Sequence, residues 1–240
     1  MNLLEESQSE NIERTKTGVN GLDTILFGGI PKGNLIVLSG DPGSGKTITS
    51  IEFLYRGATK FNEPGVFISL ELEEKDIIKT AAGFGWDFKP LIDKNLIAIE
   101  TIQLYNFDRL CDTIETLVER IKAKRVVIDP GVIIRLYFEK ELEARKKILE
   151  LRRVVRKLGC TTIVTNERTM DRTFTLFGLE EYVADGVILL YHSKLESRFI
   201  RSCAVLKMRY TKTSESLHPL KIEKKGVNVL AEQEQLEDVD

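Results

Sequence analysis

No apolar run in this 240-residue chain reaches the roughly 18 residues that a membrane span needs. The opening stretch, MNLLEESQSENIERTK, is acidic and polar and lacks the apolar core of a secretory signal. A cytoplasmic protein with no membrane partner is therefore expected. Cysteine is scarce: Cys111, Cys160 and Cys203 are far apart, odd in number and without CxxC spacing, which argues against a disulfide framework and against a zinc site. They are expected as reduced core thiols. Positive charge is not in excess either, because 35 Lys and Arg face 37 Asp and Glu. No global field then favours nucleic acid or anionic lipid, and any such binding must come from a local patch. The two histidines, His192 and His218, have no partners at ligand spacing and read as structural. Internal repeats and low-complexity linkers are missing, so a second domain is not expected.

What is present is an alternation. With 42% hydrophobic residues the chain can bury a sizeable core. One domain is expected over residues 14–230, between polar, flexible tails at 1–13 and 231–240. Short apolar runs (NLIVLS, GVFISL, LIAIE, RVVID, CTTIVT) alternate with amphipathic stretches, and helices are expected from about Lys46, Glu73, Phe107 and Glu141. Strands that are apolar on both faces and separated by helices specify an α/β fold with a mainly parallel sheet covered on both sides. Beyond Asp185 the runs DGVILLYH, RSCAVLKMRY, LKIEKK and VNVL follow one another through short polar turns, which predicts antiparallel strands added at the C-terminal end. Trp86, in GFGWDF, reads as a core anchor. From Glu141 to Leu158, helical spacing puts Ile148, Leu151, Val155 and Leu158 on one side. Arg145, Arg152, Arg153, Arg156 and Lys157 lie on the other, most simply a solvated charged face.

The stretch NLIVLSGDPGSGKTITS carries the chemistry. Gly40, Lys46 and Thr47 complete G-x-x-x-x-G-K-[ST], after a strand and at a helix start. Glycines at Gly40, Gly43 and Gly45 let the backbone wrap so that N–H groups of the segment Gly40, Asp41, Pro42, Gly43, Ser44, Gly45, Lys46, Thr47 and Ile48 face a phosphate. Lys46 would reach the β and γ oxygens, and the Thr47 hydroxyl would ligate Mg²⁺. A turn that was merely flexible would require neither the lysine nor the threonine. Hydrolysis also needs carboxylates. Asp129 closes the apolar run RVVID where a metal-facing aspartate would sit, although a strand-end Asp also caps turns. Glu71 is the first charge after the run VFISL and is expected as the general base, because strand ends in open α/β sheets border the ligand crevice. Glu73 and Glu74 are explained as acids at a helix start.

Taken together, TGVNGLDTILFGGIPKGNLIVLSGDPGSGKT, GVFISLELEEKDIIKTAAGFGWDF, RVVID, TTIVTNER, LEEYVADGVILL and VLKMRYTKTSE resemble the KaiC family, within the RecA superfamily of ATPases. The likeness covers roughly residues 17–230. It implies that Lys46 and Thr47 bind ATP and Mg²⁺, that Asp129 is the Walker B aspartate, and that Glu71 is the first of a catalytic pair whose second member is Leu72 here. It also implies that Lys207 and Arg209 are cations reaching the γ-phosphate of a neighbouring subunit, so that a homo-oligomer, a ring of six, shares its active sites. Tyr210 stands where the family has glycine and Thr213 where it has histidine. The phosphoacceptor pair of the family's second domain falls on Glu181 and Tyr182, which disfavours self-phosphorylation there.

The expected function is a nucleotide-driven regulator or motor acting on an unidentified protein partner. A recombinase-like ATPase acting on DNA and a slow ATP-dependent switch are the alternatives. DNA contact, through PGVIIRLYFEK and ERTMDRTFTLFG with Phe138 and Phe174, is left open but not favoured, since both aromatics serve equally well as packing residues.

Overall fold

Leu35–Gly40 (β3) is buried along its whole length, as the uninterrupted run LIVLSG demands, and it lies in the middle of the sheet. In this computed structural model the structure describes residues 12–103, 106–131, 133–134, 137–138, 140–167 and 183–233. Its strands are Arg14–Thr15 (β1), Ile30–Pro31 (β2), β3, Gly65–Ser69 (β4), Ile97–Thr101 (β5), Arg125–Asp129 (β6) and Thr161–Glu167 (β7). The C-terminal set is Gly186–Leu195 (β8), Arg198–Met208 (β9), His218–Glu223 (β10) and Gly226–Val229 (β11). Helices are Leu22–Ile25 (α1), Lys46–Lys60 (α2), Glu74–Gly83 (α3), Lys89–Asp93 (α4), Phe107–Ile121 (α5) and Glu141–Lys157 (α6).

Among the described residues nine strands form one sheet in the order β11-β10-β9-β8-β3-β7-β6-β4-β5. From β8 to β5 every neighbouring pair is parallel, and from β8 to β11 every pair is antiparallel. That is the mixed sheet expected. Alternation along each strand divides the core in two. Ile36, Leu38 and Phe67 join Phe53 of α2, Ile77 of α3 and Trp86 on one face. On the other, Leu35, Val37, Val66 and Ile68 meet Leu110 of α5 and Ile148 of α6. Trp86 is the expected anchor, stacked on Phe84 at 4.9 Å and Tyr55 at 5.7 Å.

The charged face of α6 holds with one correction: Arg145, Arg153, Arg156 and Lys157 are exposed, but Arg152 turns inward onto the buried Asp185. Periodicity ranks a residue by its face and cannot see a carboxylate arriving from another strand. A second correction concerns β9, which stops at Met208, so Arg209 and Tyr210 lie in the turn beyond it. Tyr210 has a left-handed φ of 69° and cannot continue the ladder. A backbone conformation that glycine adopts freely is thus held by a tyrosine. Residues 1–11, 168–182 and 234–240, and with them Phe174, Glu181 and Tyr182, lie outside the described residues. Phe138 does lie within them, half-buried and edge-on to Phe107 at 5.9 Å, which is a packing role.

Candidate functional site

The turn after β3 requires glycine for steric reasons. A Cβ on Gly40 would fall 2.3 Å from the Leu190 carbonyl oxygen, and Gly43 and Gly45 have left-handed φ of 74° and 106°. Gly45 is the N-cap of the 15-residue α2, and no side chain caps the helix. Its first N–H groups are therefore available to an anion, with the helix dipole behind them. Ser44 fits the same role: it is 1% exposed, and its Oγ has no hydrogen-bond partner among the described residues. A phosphate at this turn would satisfy an otherwise costly buried hydroxyl.

Lys46 Nζ donates to the carbonyls of Gly40 at 2.8 Å and Asp41 at 3.0 Å, folded back on its own loop. Burial pushes its ammonium below the ordinary lysine value, opposed by the carboxylates of Glu167, Asp129 and Asp41. Thr47 Oγ1 donates to Asp129 Oδ2 at 2.9 Å, and Thr165 donates to Oδ1 of the same carboxylate. Asp129 is 6% exposed at the end of β6. Burial raises its pKa, the hydroxyls of Thr165 and Thr47 and the charge of Lys46 oppose this, and Glu167 adds to it. A hydroxyl and a carboxylate side by side form a hard oxygen donor set of the kind Mg²⁺ prefers.

Glu71 is exposed in the bend after β4, two residues beyond Ser69, the register partner of Asp129. It is therefore at the same end of the sheet as Asp129. The neighbouring Leu72 packs against the core, and its carbonyl accepts from Ser69 Oγ at 2.6 Å and Thr101 Oγ1 at 3.0 Å. Glu73 is the N-cap residue of α3 and pairs with Lys75 at 2.6 Å, while Glu74 lies in the first turn, consistent with helix-start acids.

Three site residues were missed from the sequence. Glu167 ends β7 opposite Gly40 in register, and its charge is felt by both Lys46 and Asp129. Its signal was the charge closing CTTIVTNE, the same strand-end signal that selected Glu71. His192 and Arg201, cross-strand partners on β8 and β9, hold the loop from outside. The His192 amide donates to Asp41 Oδ2 at 2.9 Å, its ring Nδ1 lies 3.2 Å from the Pro42 carbonyl, and Arg201 Nε donates to the Gly43 carbonyl at 2.8 Å. His218 is structural as expected, buried between Ser214 Oγ at 2.7 Å and the Gln233 carbonyl at 3.0 Å.

Lys207 and Arg209 are not brought to this site within the chain. Lys207 pairs with Val187 and Met208 with Gly186, near the start of β3, whereas the P-loop leaves its far end. At about 3.3 Å per residue a strand of this length keeps the two ends roughly 17 Å apart.

The family described as "ATPase: KaiC" matches residues 15–234. This chain belongs to the KaiC family of ATPases. It is 38% identical over 234 residues to a UPF0273 protein of Pyrococcus horikoshii, covering 90% of this chain and 93% of that one. It is 33% identical over 235 residues to the circadian clock oscillator protein KaiC of Thermostichus vulcanus, covering 93% of this chain but 45% of that protein. The chain thus spans less than half the length of that clock protein. Among solved structures it resembles a KaiC-like protein of Pyrococcus horikoshii OT3 with a TM-score of 0.83 at 36% identity, over 91% and 99% of the two chains. Among the described residues no helix is long and apolar enough to cross a membrane.

Proposed function

We propose that the chain is a Mg²⁺-dependent ATPase that works as a homo-oligomer, a ring of six, with each active site shared between neighbours and nucleotide state controlling a protein partner. The observation that carries this is the 2.9 Å contact of Thr47 with Asp129 beside a P-loop whose helix start is uncapped. Thr47 and Asp129 would hold the metal, which when bound offsets phosphate charge. The backbone N–H groups of the loop and Ser44 bind the phosphates, and Lys46 exchanges its two carbonyl partners for phosphate oxygens. Glu71 takes the proton of a water whose oxygen forms a bond to the γ-phosphorus as the bond to the ADP oxygen breaks. Lys207 and Arg209 of the adjacent subunit stabilise the charge that develops.

Glu71 and Glu167 both stand at the Asp129 end of the sheet as candidates for the base, so the experiment is comparative. Lys46→Ala should abolish binding of a fluorescent ATP analogue. Glu71→Gln should bind it normally and lose most turnover, whereas Glu167→Gln should keep more turnover than Glu71→Gln. Parental phosphate release by Glu71→Gln, with Glu167→Gln inactive, would transfer the base to Glu167. A second reading, a slow switch, is favoured by Leu72: the position of the family's second glutamate is committed to the core here. Negligible phosphate release with ATP-dependent capture of a protein partner would select it.

A further inference from the structure

Asp185 precedes β8 and is fully buried, a position in which an uncompensated carboxylate is very costly. Leu35 N donates to its Oδ2 at 3.2 Å, Arg152 Nε donates to Oδ2 at 3.2 Å, and Arg152 Nη2 donates to Oδ1. Arg152 comes from α6, and this hydrogen bond pushes its pKa up, against a smaller effect of burial. A second guanidinium stands behind the first: Arg209 Nε is 4.0 Å from Asp185 Oδ1, beyond hydrogen-bond reach, with its side chain 47% exposed. The main chain of Arg209 is held more firmly, its N–H donating to the Asp185 carbonyl at 2.8 Å. Directly after it the chain turns through the left-handed Tyr210, a conformation that a tyrosine keeps only where its surroundings impose it. Arg209 is therefore rooted at its backbone and only loosely attached at its charge.

One carboxylate needs one guanidinium, and a two-pronged pair is the best geometry for it. Arg152 supplies that pair, leaving Arg209 surplus to Asp185. We propose that Arg152 and Asp185 are positioning residues that mount Arg209 for a phosphate bound by the adjacent subunit, Asp185 fixing its root and Arg152 neutralising Asp185 so that the Arg209 side chain is released. This rests on the shared-site function above and adds the residues that set the cation in place. Removing Arg152 should make Asp185 capture Arg209. Removing the Asp185 charge as well should free it again.

The test uses the full chain. In Arg152→Gln, modification of Arg209 by phenylglyoxal, followed by mass spectrometry of the nucleotide-free protein, should slow severalfold. kcat should fall roughly tenfold to a hundredfold, the scale of a misplaced reacting group, with ATP affinity unchanged. The double variant Arg152→Gln/Asp185→Asn should regain most of both. A merely structural pair predicts the opposite, a double variant no better than the single one. Should Arg152→Gln fail to fold, Asp185→Asn alone should label at Arg209 faster than the parent. Unchanged Arg209 labelling in these variants overturns the mount, whatever happens to the rate. Labelling that moves as expected while Arg209→Ala hydrolyses ATP at the parental rate overturns it differently, through the shared site itself.

Discussion

Arg125 carries its charge with none of its surface in water. Its guanidinium pairs with Glu63 at 2.6 Å, donates to the carbonyls of Phe53 at 2.8 Å and Lys16 at 2.7 Å, and lies over the Phe53 ring at 4.5 Å. Burial lowers its pKa and Glu63 opposes the shift. It thereby ties the N-terminal segment and α2 to the start of β6. Arg125→Ala should leave Glu63 and two carbonyls without their donor, and should cost about 3–5 kcal/mol in urea unfolding. A loss below about 1 kcal/mol would mean that water replaces the guanidinium at little cost. Nothing in the sequence announced this residue: at the head of RVVID it reads as the solvated end of a strand, and its partners lie 62, 72 and 109 positions away. Asp129, by contrast, was legible, because the strand and the P-loop that define its place are both local patterns.

At the scale of elements, the starts of α2, α5 and α6 fall at Lys46, Phe107 and Glu141, where periodicity put them. The central parallel strands followed from runs apolar on both faces, and the longer antiparallel β8 and β9 from runs joined by short polar turns. The two-residue β1 and β2 were invisible because so short a strand has no period, and β9 ended early because backbone φ at Tyr210 outweighs the β propensity of its side chain. The buried elements also determine the cysteine chemistry. Burial pushes the thiols of Cys111 and Cys203 up from 9.0 to about 12 and that of Cys160 to about 11. All three should resist iodoacetamide at pH 8 in the native protein and react once it is unfolded in guanidinium. A pKa raised by folding contributes stability that is fully present below the unfolded value and is lost as pH rises through the folded one. Stability should therefore fall between about pH 9 and pH 12, and replacing Cys203 by Ala should flatten that decline. An undiminished slope would assign it to other groups.

The whole molecule carries a formal net charge of −2 at pH 7, so nucleic acid meets no attractive field from the protein as a whole. Without ATP, fluorescence anisotropy should show weak binding to single-stranded DNA that is lost by about 0.2 M salt. Tight binding at that salt would favour the recombinase-like alternative. The larger division within the molecule is between the P-loop end of the sheet and the end that bears Lys207 and Arg209, one strand length apart. On the proposed shared site these two ends meet only across a head-to-tail interface between subunits, which makes a ring where the rotation closes and an open filament where it does not. The most direct measurement mixes two inactive proteins. Arg209→Ala, lacking the trans cation, should lose roughly 10³-fold in turnover, and Glu71→Gln should be inactive for want of the base. In a one-to-one mixture with subunit exchange, about one interface in four joins an intact Glu71 to an intact Arg209, so about a quarter of the parental ATPase rate should return. A mixture that exchanges subunits yet stays inactive, or full activity in a species that sediments as a monomer, would contradict a site shared between subunits.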